Sequence, residues 1–138
     1  MSKPTRLFFS YSFTHRSDHR DNYLLLKELL QNNGFSCYSF VFDFTEQVDN
    51  KKLMTEALRE IDNSAIFIAD PSFGSFGIGI EAGYAKAKNK TIIYFHKEGS
   101  PLEETLEGIS DAVVDYSNTS DILSWFNKNL NNLKSNKI

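Results

Sequence analysis

A single cysteine, three prolines and no apolar run near the ~18 residues of a membrane span remove several classes of protein at once. The lone Cys37 forbids a disulfide within the chain and offers no thiol cluster to a structural metal. Its apolar setting, SCYSFVF, marks it as a buried thiol rather than a nucleophile. His19 and His96 stand at no ligand spacing from other donors, so neither a metal nor a cofactor is expected. Fifteen Lys and Arg against eighteen Asp and Glu leave a formal charge of −3, with no basic face for a nucleic-acid duplex. No repeat or low-complexity tract interrupts the chain, which excludes solenoid and linker-like architectures. No secretory leader precedes the first strand pattern, so the expectation is a cytoplasmic protein without membrane attachment.

What is present is core. Hydrophobic residues make up 41% of the chain and twelve are Phe, enough over 138 residues to bury one core without staples; residues 1–138 are read as one domain. Strand and helix patterns alternate. Arg6 to Tyr11 reads as a first strand, Asp18 to Asn33 as a helix ended by Gly34, and Ser36 to Phe42 as a second strand. Asp49 to Asp62 carries the apolar stripe of a helix, and Ala65 to Ala69 is the short apolar run of a central parallel strand. A helix from about Gly79 to Asn89, a strand Thr91 to Phe95, a short helix Pro101 to Glu107, a strand Ala112 to Tyr116 and a last helix Asn118 to Leu133 complete the chain. Five strands with helical crossovers predict an α/β, flavodoxin-like, doubly wound parallel sheet of order 2-1-3-4-5. Ligands of such sheets bind where the order reverses, outside the carboxyl ends of the first and third strands. That rule selects two loops, SYSFTHR and DPSFGSFGIGIE.

In the second loop Gly74, Gly77 and Gly79 permit positive φ and close approach of a ligand to the backbone. Glu81 is expected in the first turn of the following helix, where free N–H groups and the macrodipole stabilise a carboxylate by roughly 0.3–1 kcal/mol. An ionised carboxylate beside an open loop can attack an electrophilic sugar carbon. Tyr11, Phe44 and Phe73 are placed to wall a pocket for a flat base, whereas Phe8 and Phe42 belong to strands and to the core.

The run S-F-G-I-G-I-E-A-G-Y-A, residues 75 to 85, resembles the G-x-G-x-E-x-G-x-A segment of nucleoside 2-deoxyribosyltransferases, and looks still more like the serine-bearing version in deoxynucleoside 5′-monophosphate N-glycosidases. The resemblance implies that Glu81 attacks the anomeric carbon, expels the base and forms a glycosyl ester that water or a second base resolves. It further implies a small nucleoside or nucleotide as ligand, with 5′-phosphate contacts from Ser12 and Ser75, support from Arg16, and backbone N–H groups at Gly77 and Gly79. A homodimer is implied as well, with Tyr84, Ala85 and Lys88 as contact residues. The sequence departs from the pattern in three places: Ala57 stands where the resemblance calls for an Asp, Thr14 where it calls for an Arg, and Glu103 where it calls for a partner-supplied Ser. Alternatives are a deoxyribosyltransferase proper, a Toll/interleukin-receptor-like NAD glycohydrolase (from FFSYS and the later Glu), and a noncatalytic nucleotide-binding module.

Overall fold

The computed structural model describes residues 3–74 and 76–138. Five strands, β1 (Arg6–Tyr11), β2 (Ser36–Tyr38), β3 (Ile66–Asp70), β4 (Thr91–Lys97) and β5 (Ala112–Tyr116), form one sheet of order β2-β1-β3-β4-β5, parallel at every pairing. The expected doubly wound α/β sheet is present. β3 is buried along its whole length and β1 at all but Arg6, as central strands covered on both faces must be.

The pleat sorts β1 between two cores. Leu7, Phe9 and Tyr11 pack with β3 and β4 residues against α1 (Arg16–Asn32) and α6 (Thr119–Lys134), with Tyr23, Leu26, Ile122 and Phe126 beneath them. Phe8 faces the opposite core with Ile61 of α3 (Asn50–Asp62) and Ile78, Ala82 and Ala85 of α4 (Phe76–Ala87). α5 (Glu104–Ile109) adds Leu106 to that side. Two helix starts, those of α3 and α6, carry side-chain caps. Asp49 accepts from the Lys52 amide at 2.9 Å, and Asn118 and Asp121 form a capping box ahead of α6.

Several boundaries shift from the expectation, with α1 starting at Arg16, β4 running on to Lys97 and α5 lying at Glu104–Ile109, and two further differences bear on the site. The second strand stops at Tyr38 and the chain folds into one helical turn, α2 (Phe40–Asp43). Asp43 makes that turn: it accepts from the Ser39 amide at 2.8 Å, from Lys27 Nζ at 3.2 Å and from the Tyr23 hydroxyl. The turn moves Phe42 out of the sheet and onto Tyr23, ring centroids 5.2 Å apart. The helix after β3 begins three residues earlier than expected, at Phe76, so Gly77 and Gly79 are helical residues and Glu81 lies in the second turn. No helix among the described residues is long and apolar enough to cross a membrane.

Candidate active site

At the carboxyl ends of β1 and β3 a pocket of about 1080 Å³ opens. Its walls are the end of β1 with the Ser12–His15 loop, the α2–α3 segment, and the β3–α4 connection with the first turns of α4. Glu81 sits on it. The alternation of β1 points Ser10 to the α4 side, and its hydroxyl donates to Glu81 Oε1 at 2.7 Å. Nothing in the sequence pattern singled out Ser10; the available signal was a lone serine beside the apolar run of the strand RLFFSY.

Burial decides the protonation of Glu81. It pushes the carboxyl up from its ordinary 4.5 to about 7, against the opposing pull of the Ser10 hydrogen bond. First-turn stabilisation by the helix dipole therefore does not apply: the effect falls off within one turn, and Glu81 is in the second. Near neutrality the group exchanges between a neutral acid and a poorly hydrated carboxylate, the more nucleophilic of the two forms.

Gly77, one turn before Glu81, also lines the pocket, and a β-carbon there would meet nothing within 4 Å. Its missing side chain leaves the approach to Glu81 open. Gly74 is the loop glycine that needs its freedom, at φ 138°. Asp70, 1% exposed at the end of β3, holds the connection in place: it accepts from the Ser72 amide at 3.1 Å, from the Ser72 hydroxyl and from the Tyr116 hydroxyl. Phe73 of the same segment stacks on His15 across the pocket, centroids 5.0 Å apart. The opposite wall is looser. Thr45, Glu46, Gln47 and Val48 line it with no hydrogen bond among the described residues, while Phe44 stacks on Phe40 at 4.3 Å.

Among the other expected site residues, Tyr11, Ser12 and Phe44 line the pocket together with Glu81 and Gly77. Tyr11 stacks on His19 at 4.7 Å, and its buried hydroxyl has no partner among the described residues. Arg16 is not in the lining; its guanidinium lies over the Phe13 ring at 4.2 Å and donates to the Phe13 carbonyl at 2.8 Å. Gly79 faces the other way, into a cleft of about 140 Å³ shared with Glu103. Ser75 lies outside the described residues. Of the dimer candidates, Ala85 is fully buried in the core, and Tyr84 donates to Asp62 at 2.9 Å. No group of three or more His, Cys, Asp or Glu among the described residues is arranged to hold a metal.

The place of the expected Asp is empty of acid. Ala57 is fully buried; Glu56 pairs with Arg59, Glu60 pairs with Arg6, and α3 gives the pocket only Leu53 in addition to its cap Asp49. Cys37 is buried and its thiol is pushed up to about 12 by that burial, which makes it inert.

No family model and no curated protein matches the sequence. Solved structures do. A CMP N-glycosidase, BcmB, of Clostridium botulinum is similar with a TM-score of 0.71 at 21% identity, over 90% of this chain and 99% of that one. A 2-deoxyribosyltransferase from Bacillus psychrosaccharolyticus has a TM-score of 0.67 at 13% identity, over 86% and 90% of the two chains. Type II dehydroquinase from Propionibacterium acnes, with different chemistry, has a TM-score of 0.56 at 13% identity, over 92% and 99%. At these identities the likeness establishes the fold and leaves the activity to be argued from the site.

Proposed function

We propose that this chain is an N-glycosidase of the nucleoside 2-deoxyribosyltransferase kind, which cleaves the base–sugar bond of a nucleoside or nucleoside 5′-monophosphate through a covalent glycosyl-Glu81 intermediate. The observation that carries it is a half-buried carboxylate on a large pocket, oriented by Ser10 at 2.7 Å, with side-chain-free Gly77 beside it. In the first step a Glu81 oxygen bonds to the anomeric carbon and the C–N bond breaks, its electron pair leaving on the base, which takes up a proton from water; in the second, water attacks the same carbon, gives one proton to solvent, and Glu81 leaves as carboxylate. Ser10 fixes one carboxyl oxygen, so the other is free to attack. Similarity of fold to an N-glycosidase and to a deoxyribosyltransferase adds weight to this chemistry.

Support for a 5′-phosphate is thinner. Ser12 lines the pocket, but Arg16 does not, and no Lys or Arg is found in the lining among the described residues. A homodimer belongs to the same proposal. Phe76 is 86% and Ile80 50% exposed one turn apart on α4, Gly83 continues the stripe, and Phe76 also borders the pocket, so a second copy there would close its mouth.

The test is a panel of nucleosides, their 5′-monophosphates and NAD, with free base measured by chromatography and the enzyme examined by intact mass after an acid quench. Wild type is expected to release base and carry a sugar adduct. Glu81→Gln is expected to lose on the order of 10³-fold or more in turnover. Near-normal base release by that variant refutes the assignment. A new nucleoside formed when a second base is added moves the transferase alternative ahead, and ligand binding without turnover would identify a binding module.

A further inference from the structure

Breaking a base–sugar bond leaves an electron pair on the base nitrogen. A neutral base then needs a proton from a nearby acid, whereas a base that already carries a positive charge needs none. Resting on Glu81 as nucleophile, we propose that the preferred substrate is a glycoside whose base bears a fixed positive charge, of the pyridinium or N-alkylated purine class, which departs as a neutral molecule.

Three independent observations point there. The first is that the helical turns of α3 offer no free acid: Leu53 is their lining residue, Ala57 is fully buried, Glu56 and Glu60 are paired with arginines, and the cap Asp49 accepts from the Lys52 amide. The second is charge. Glu46, Asp49 and Glu81 line the cavity, His15 is the one lining base among the described residues, and its Nδ1 lies 3.6 Å from the Asp18 carboxylate. Such a lining attracts a cation and opposes a phosphate. The third is aromatic surface. Phe13 is 64% and Phe76 86% exposed at the mouth, and Phe44 and Phe73 line the walls. Aromatic faces hold flat or quaternary cations through the ring quadrupole, by about 0.5–2 kcal/mol each.

The step balances without a proton donor. A Glu81 carboxylate oxygen bonds to the anomeric carbon, the C–N bond breaks, and its electron pair cancels the positive charge on the base. Water then displaces Glu81, which returns as carboxylate, and the water's second proton goes to solvent. The net change is cationic glycoside plus water to sugar, neutral base and one proton. A cation beside Glu81 also favours its ionised form, so the substrate itself activates the nucleophile.

The deciding experiment compares 7-methylguanosine with guanosine and nicotinamide riboside with cytidine, each enzymatic rate divided by the spontaneous rate of the same compound, because cationic glycosides are intrinsically labile. The expected result is a kcat/KM, so corrected, at least tenfold higher for each cationic member. The ratio of KM for 7-methylguanosine to KM for guanosine should rise about two- to fivefold for each carboxylate removed in Glu46→Gln and Asp49→Asn, the size of an exposed charge contact. Asn retains the helix cap at residue 49. If guanosine or cytidine is cleaved as well as its cationic counterpart and the sugar adduct on Glu81 is found, the charge preference is overturned while the N-glycosidase stands. An unchanged KM ratio in both variants also overturns it. If no member of the panel releases base, both readings fall.

Discussion

Glu81→Gln should make the protein more stable at alkaline pH while abolishing its proposed activity. The folded carboxyl holds its proton up to about 7 and the unfolded one only to about 4.5. Between those values the folded state binds the proton that the unfolded state has released, so stability falls as pH rises through the window, and the loss is complete above about 7. At about 1.36 kcal/mol per pH unit the gap corresponds to roughly 3.4 kcal/mol. Glu81 keeps part of its surface in solvent, and screening brings the expected figure down to about 1–2 kcal/mol. The amide of Gln offers the same acceptor to Ser10 and never ionises, so the variant escapes this loss. Urea unfolding of both proteins at about pH 5 and about pH 8 gives a double difference in which the other titrating groups cancel. The variant should gain about 1–2 kcal/mol relative to wild type on going to the higher pH. A double difference of zero, or a variant less stable at the higher pH, would show that Glu81 is not held in a desolvated site.

Ser10→Ala removes the hydrogen bond that holds Glu81 down, so the acid limb of the kcat/KM profile should move about one pH unit to the alkaline side; an unmoved limb would separate Ser10 from the proposed nucleophile. Gly77→Ala should raise stability by about 0.5–1 kcal/mol, because Ala is the better helix former and space is open, yet lower kcat/KM by crowding Glu81. Thermal unfolding and base release read the two effects separately, and a variant that is both more stable and fully active would show that the ligand does not pass Gly77. Ile80→Glu on the exposed α4 stripe should give a monomer by light scattering where wild type is a dimer; wild type at monomeric mass at micromolar concentration refutes the dimer.

The sheet was legible because its signals are long and redundant: apolar runs such as AIFIA, separated by helical stripes, admit few topologies once right-handed crossovers are required. The switch-point rule located the pocket, which Tyr11, Ser12, Phe44, Gly77 and Glu81 line. What escaped were effects of tertiary partners. The α2 turn depends on Asp43 meeting Tyr23 and Lys27, sixteen residues and more away, whereas SCYSFVF taken alone favours a strand. Glycines at 77 and 79 suggested a loop, but Ile78 and Ala82 pack on the sheet and draw that stretch into the helix. The Ser10–Glu81 contact spans seventy-one positions, so only the fold brings it about. Gly79 and Arg16 carried the right composition on the wrong side of their elements.

The two walls of the pocket are built with unequal rigidity, and that asymmetry separates what the protein does from what it does it to. The wall leading to Glu81 is tied down by Asp70, which links it to Tyr116 on the last strand, so substitutions there disturb the whole sheet edge. Residues 45 to 48 carry no such ties among the described residues. They can change in sequence, and insertions there would leave the carboxylate and its serine where they are. A lineage or a protein engineer can therefore retune ligand choice on that segment without rebuilding the proposed reaction centre, and variants confined to it form the natural library for altering selectivity.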